Sequence, residues 1–375
     1  MSSTAAPEAA PALKEIFNAE RIRHIADETR AVFPAFDTGR FIALCRDGLD
    51  ELSLMARLRR VAEALHATLP EDYRVALDVL RDLVPRLNSS FVTMALPDFV
   101  ALYGQGHFEL SMEALKFFTT FGSSEFALRY FLRRDPSRTL SVMERWARDE
   151  NEHVRRLASE GSRPRLPWSF KLDAVIADPS LTQDIIETLK ADPSRYVRKS
   201  VANHLNDIAK DNPDWVLERI EGWPRDNAAT TWIARHALRT LVKRGDRRAL
   251  TILGAGEVAD IDVVDFTVAP RTIALGESIS LSIALRSTSA RGQRLVVDYA
   301  VHYVKRSGAT TAKVFKLRTI DLAPREAVKI VHRQTVRDFT TRIHHPGRHS
   351  VELLVNGLVL AVDAFVLDGG SPSTN

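Results

Sequence analysis

From residue 14 to about residue 250 the apolar positions recur at intervals of three and four. Leu54, Leu58, Val61, Ala62 and Leu65 make one such stripe across residues 53–69. Val75, Leu77, Val79, Leu80, Leu83 and Val84 make another, stopped by Pro85. That spacing puts one apolar face on each of a series of amphipathic helices. Leu69-Pro70 breaks the series, as do Asp135-Pro136, Asp178-Pro179, Asp192-Pro193 and Asn212-Pro213. Each Asx-Pro pair offers a cap and a first-turn proline, so each predicts a helix start. Past Gly256 the period changes to two. Ser278 to Leu285 alternates strictly, and residues 295–304 are rich in Val and Tyr. Asn356-Gly357 between two apolar runs is a hairpin signal. Seven or eight short strands in this stretch predict a β-sandwich of immunoglobulin type, without the cysteine pair of antibody domains.

The helical part repeats itself. Asp149 to Ala158 aligns with Asp192 to Val201 at a constant offset of 43 residues, and Asn227 to Leu238 is a weaker third copy. A period near 40 with Val-Arg at a helix start is the mark of HEAT-like helical pairs, which stack because no pair buries its own faces. The expected fold is therefore mainly α, a HEAT-like α-solenoid followed by an all-β immunoglobulin-like sandwich. The expected boundaries are a disordered tail (1–13), the helical domain (14–254), the sandwich (255–368) and a polar tail (369–375). The repeated arginine has an ordinary reading, a bond to an acid of the neighbouring repeat. Arg155, Arg156, Arg198, Lys199, Arg235 and His236 also recur as a basic ladder that suits a duplex phosphate backbone.

Composition narrows the function. The single cysteine, Cys45, lies on an apolar stripe and excludes an internal disulfide or a thiolate metal cluster. Gly104-Gln105-Gly106 has no Lys-Ser/Thr ending, which argues against a nucleotide hydrolase. His344-His345 lacks a third ligand at useful spacing, so neither a metal nor a cofactor is expected. No apolar run is long enough for a bilayer, and the first residues do not read as a signal peptide, so a cytoplasmic protein is expected. Net charge is +4, yet residues 271–348 hold fifteen Lys and Arg against five acids. Such a local excess suits a polyanion, nucleic acid before others.

Three acids stand beside the ladder. Glu125 opens a helix, where the dipole favours it. Glu160 sits late in a helix, where the dipole opposes it, so it needs Arg156 or a ligand. Asp207 lies eight residues past Lys199, on nearly the same face. Each has a plain structural reading; their placement on related helices of one solenoid is what draws attention. Trp168 follows Arg163-Pro164-Arg165-Leu166-Pro167, a stiff segment that either presents the ring to a sugar or base or lets it cap the core. Arg163 and Arg165 would then reach phosphates.

The segments Ala158 to Trp168 and Tyr196 to Asp207 resemble the DNA alkylation repair family of HEAT-like-repeat DNA glycosylases, in the AlkC branch, over about residues 10–250. The β region is similar to the immunoglobulin-like domain of some members. The aspartate and paired tryptophans of the AlkD branch have no counterpart. The resemblance implies excision of N3-methylated bases, chiefly 3-methyladenine and then 3-methylcytosine, from double-stranded DNA without conventional base flipping. It implies catalytic acids at Glu125, Glu160 and Asp207, with Trp168 and Arg156 lining the lesion. It also implies DNA contacts from Arg163, Arg165, Arg198, Lys199 and Arg235, and a monomer associated with the nucleoid. The competing readings are a non-enzymatic HEAT scaffold and a HEAT-like bilin lyase; the core position of Cys45 weakens the second.

Overall fold

The computed structural model describes residues 12–224, 226–255, 258–339 and 343–369. Both tails expected at the ends lie wholly or mostly outside these ranges. Among the described residues, helices alone run from Leu13 to Ile252 and strands alone from Ile261 to Leu367. The chain gathers into two compact units. One comprises residues up to Asp211 with Asn227–Ile233; the other comprises Asn212–Asp226 with Ala234 onward. No helix among the described residues is long and apolar enough to cross a membrane.

In the first unit the stripes form the expected helices. Leu54–Thr68 is capped by the Ser53 hydroxyl, which accepts from the Ala56 amide, and buries Leu58, Val61, Ala62 and Leu65. Tyr73–Leu83 is capped by Asp72 and buries Ala76, Leu77, Val79, Leu80 and Leu83, but Val75 is exposed. Pro85 stops the α-helix through a short 3-10 turn, Val84–Arg86. One Asx-Pro pair begins an α-helix here, Pro136–Trp146, another begins Pro213–Glu221 in the second unit, and Asp178-Pro179 begins a 3-10 turn. Asp192-Pro193 does not start its helix. Ser194 caps Arg195–Ile208 instead, because the Asp192 carboxylate accepts from the Ser194 amide and pairs with Arg155.

The repeat is visible in three dimensions. Glu125–Arg134 packs on Pro136–Trp146 and on Glu152–Gly161, which packs in turn on Arg195–Ile208. Arg155 donates to the carbonyls of Asp149 and Glu150, and Arg198 donates to those of Asp192 and Pro193. Each Val-Arg arginine thus ties down the loop before its own helix, and Arg155 adds the Asp192 carboxylate of the next repeat at 2.7 Å. Cys45 is fully buried, and burial pushes its thiol up to about 12. A thiol held that high stays protonated, and iodoacetamide at pH 8 is expected to leave native protein unlabelled while labelling the unfolded chain.

Among its described residues the second unit carries eight strands in two sheets. β1 (Ile261–Ala269), β3 (Ser278–Ser287) and β6 (Ala327–Thr335) form one sheet in the order β1-β3-β6. β2 (Thr272–Ile273), β4 (Gln293–Val304), β5 (Thr310–Leu322), β7 (Gly347–Val355) and β8 (Leu358–Leu367) form the other, ordered β2-β8-β7-β4-β5. All pairings are antiparallel except β2 with β8. The alternation in β3 buries Ile279 and Leu281 with Tyr299, Val301 and Val351 of the facing sheet, and Ile283 and Leu285 with Leu295, Val297, Leu353 and Val355. Asn356 and Gly357 both have positive φ, +49° and +78°, the two-residue turn their sequence predicts. A Cβ on Gly357 would lie 2.5 Å from the Gly245 Cα, so only glycine lets the hairpin tip touch that helical turn. His344 is buried against Tyr303 and bonds the Asp338 carboxylate, and among the described residues no group of His, Cys, Asp and Glu could hold a metal ion.

Candidate active site

Glu125, Glu160 and Asp207 come together in one buried chain of alternating charge. Arg156 reaches Glu125 at 3.1 Å and Glu160 at 3.5 Å. Arg163 reaches Glu160 at 2.5 Å and Asp207 at 2.6 Å. The order is therefore Glu125, Arg156, Glu160, Arg163, Asp207, drawn from the helices Glu125–Arg134, Glu152–Gly161 and Arg195–Ile208 and from the loop after the second. Three further contacts complete it. Ser200 donates to Glu160 at 2.6 Å, Lys210 pairs with Asp207 at 2.7 Å, and Arg156 also bonds the Ser123 hydroxyl. Glu160 thus finds in Arg163, Arg156 and Ser200 what the helix dipole denies it. Buried charges persist only when paired and hydrogen-bonded, and each of these is.

Burial and pairing compete at Glu125. Removal from water raises its carboxyl above the ordinary carboxylate range, and Arg156 and its own helix N-terminus offset this only in part. The folded state then holds the Glu125 proton more tightly than the unfolded chain does. Stability from this site is present below the ordinary carboxylate pKa of about 4.3 and is lost as pH climbs through the raised folded value. Glu125→Gln keeps the shape and removes the charge, so thermal unfolding at pH 7 is expected at a higher temperature than in the parent protein. The gain should vanish below about pH 4.

Trp168 is not a core residue. It is 64% exposed, with φ of +63°, a left-handed backbone that side chains rarely adopt. The segment that presents it is held from beneath by Arg129, which is fully buried and donates to the carbonyls of Gly161, Arg163 and Phe170. Burial lowers this guanidinium to about 10, still charged at neutral pH. Trp168 borders a cleft of roughly 380 Å³ with Phe126, Tyr130 and Phe170, where Arg59 bridges Asp98 and the Tyr130 hydroxyl. Tyr196 lies beside the acids, 41% exposed, with the Arg156 guanidinium 5.3 Å from its ring centre. Beneath them His204 is fully buried, and burial with Arg163 and Arg129 nearby brings it down to about 3. A neutral imidazole there adds no cation, so arginine and lysine alone balance the carboxylates of the cluster.

The remaining candidates stand elsewhere. Arg165 pairs with Asp211 at the surface. Arg198 is turned onto its loop carbonyls, with its ring-side neighbour Trp232 at 6.0 Å. Lys199 is exposed whereas Asp207 is buried, so eight residues do not return to one face. Arg235 belongs to the second unit and lines a recess there. Arg129, Arg59, Tyr130, Phe170 and Tyr196 were not among the expected residues. Only Arg129 left a trace in the sequence, as a cation in the otherwise apolar run Phe126 to Phe131.

Residues 3–241 match the family model described as DNA alkylation repair enzyme, well over half of the chain. The chain belongs to the DNA alkylation repair enzyme family. Residues 262–369 match a second model, described as the C-terminal Ig-like domain of the uncharacterised protein YhaZ. The family relative YhaZ of Bacillus subtilis (strain 168) is 40% identical over 348 residues, spanning 92% of this chain and 97% of that protein. Among solved structures, Pseudomonas fluorescens alkylpurine DNA glycosylase AlkC, bound to DNA containing an abasic site analog, is 57% identical with a TM-score of 0.94. It covers 96% of this chain and 100% of its own. The helical region followed by an immunoglobulin-like domain is thus the architecture of this member of the DNA alkylation repair family, in the AlkC-like form.

Proposed function

We propose that the chain is a DNA glycosylase that releases cationic N3-alkylated bases, 3-methyladenine first and 3-methylcytosine second, from duplex DNA. The observation that carries this reading is the buried Glu125–Arg156–Glu160–Arg163–Asp207 chain, supported by likeness to a solved alkylpurine glycosylase. An N3-methylated adenine already bears positive charge, so its glycosidic bond is weak and the base departs neutral. A strong general acid is unnecessary. The group that needs stabilising is the oxocarbenium-like sugar, and carboxylates fixed in advance do this at little reorganisation cost. The two arginines hold the three acids in place. Glu125, made more basic by burial, takes the proton of the attacking water. Trp168 stacks on the sugar or base at the lesion, and the duplex bends to bring the sugar to the acids without conventional flipping, a deformation on the order of 1–6 kcal/mol.

The deciding experiment incubates purified protein with methylated duplex DNA and follows free 3-methyladenine by chromatography. Release above the spontaneous rate is expected; folded protein that releases none overturns the reading. Base release should also fall on the acid side at a higher pH than an ordinary carboxylate would give, since protonating Glu125 removes the base, and Glu125→Gln should flatten that limb. For Trp168, glycine is the informative substitution. It relieves a left-handed backbone that costs a side-chain residue about 1 kcal/mol. Trp168→Gly is expected to lose no thermal stability while single-turnover base release drops about tenfold or more, as loss of one stacking contact implies. A normal rate would mean that the ring does not touch DNA.

A further inference from the structure

The second unit contains a recess of about 520 Å³, within the size range of small-molecule sites. All of its lining residues lie between Arg235 and Asp321, within that one unit. Val242, Leu253, Val296 and Leu317 give it apolar walls. Its cations come from two sides: Arg235, Arg239 and Lys243 from the helical segments, and Arg294, Lys316 and Arg318 from β4 and β5. Only Asp298 and Asp321 oppose them. Asp321 is taken by Arg294, at 2.7 and 2.8 Å. That leaves Asp298, which stands across from Lys316 where β5 bulges at Leu317, facing Arg235, Lys243, Lys316 and Arg318. Asp298 is buried at 5% exposure, one carboxylate oxygen has no hydrogen-bond partner, and Lys316 and Lys243 are the cations that act on it. Like charges gathered at one rim repel, and an occupant with two or more negative charges turns that repulsion into attraction.

We propose that this recess binds a nucleoside phosphate, its phosphates on Arg235, Lys243, Lys316 and Arg318 and its base against Val242, Leu253, Val296 and Leu317. The ligand class follows from the two halves of the lining. A bare phosphate would leave the apolar walls unused, and a nucleoside would leave the cations unanswered. Asp298 weakens the site, since its charge opposes the phosphates across the recess. The proposal goes beyond base excision and does not depend on it.

Titration calorimetry on the full chain tests it with ADP, pyrophosphate and adenosine. ADP is expected to bind, pyrophosphate more weakly, and adenosine without measurable heat. The double variant Lys316→Gln/Arg318→Gln, at exposed strand positions and checked for folding by circular dichroism, should weaken ADP by about tenfold or more. Asp298→Asn should tighten it several-fold. Absence of ADP binding up to ~1 mM, equal binding of adenosine, or an unaltered affinity in the double variant would each overturn the proposal. Displacement of ADP by a short unmethylated duplex would overturn it too, by making the recess a contact for DNA backbone.

Discussion

Arg163→Ala is expected to be the most destabilising single substitution in the site and to abolish base release with it. Arg163 is 7% exposed and bonds two carboxylates on different helices, Glu160 at 2.5 Å and Asp207 through two nitrogens at 2.6 and 2.8 Å. Its own carbonyl is fixed by Arg129. Removing one member of a buried ion pair costs about 3–5 kcal/mol, because the partner is left charged in a poor solvent. Here one deletion strands two acids. Glu160 retains Ser200 and a longer contact with Arg156, and Asp207 retains Lys210, so the loss should fall inside that range rather than at twice its value. Urea unfolding followed by circular dichroism measures it. The double variant Arg163→Ala/Asp207→Asn checks the cause: neutralising one stranded acid should recover part of the stability and none of the activity. A stability loss under about 1 kcal/mol in the single variant would mean that water satisfies these acids and that the charge chain does not hold the site together.

The sequence carried the architecture because its two periods are local properties. Ile279, Leu281, Ile283 and Leu285 alternate, and they are buried. Leu58, Val61 and Leu65 fall on one stripe, and they are buried too. Asn356-Gly357 encodes its turn in two φ angles. The misreadings arose where a tertiary partner outbid a local signal. Asp192 has the sequence of a helix cap, but Arg155 of the preceding repeat claims its carboxylate, and Ser194 takes over. Val75 has the spacing of a core residue, yet it lies at the edge of the stripe in the first turn of its helix and stays in water.

The acids were legible for a different reason than their partners. Glu125 opens its helix whereas Glu160 and Asp207 close theirs, so the 43-residue offset does not equate them; the legible sign was a glutamate at the wrong end of a dipole, which signals that something nearby compensates it. Which cations do so was not legible. Arg155 and Arg156 are adjacent in sequence and point to opposite tasks, the first closing a loop and the second joining two acids. The residue that orders the Trp168 segment, Arg129, binds only backbone carbonyls of Gly161, Arg163 and Phe170, and backbone carries no sequence signature.

Glu160→Gln and Asp207→Asn separate catalysis from structure, and base release in each is expected to fall by about 10²–10³-fold, the range for removing one fixed electrostatic group that acts on a transition state. Both replacements keep size and one acceptor oxygen, and turn the other oxygen into an amide donor. Glu160→Gln retains an acceptor for Ser200, and Asp207→Asn retains one for Lys210 or Arg163. What each loses is a negative charge next to Arg163, which raises the local potential where a cationic sugar would form. Affinity for undamaged duplex should stay within about twofold, since ground-state DNA is an anion and a lost carboxylate does not weaken its grip. Single-turnover release from methylated duplex gives the rate, and fluorescence anisotropy gives the affinity. Rate and affinity falling together would place the residue in folding or in DNA binding. A fall in rate alone, at unchanged melting temperature, is what carboxylates acting on the sugar require, because only an interaction stronger in the transition state than in the bound ground state shows itself that way.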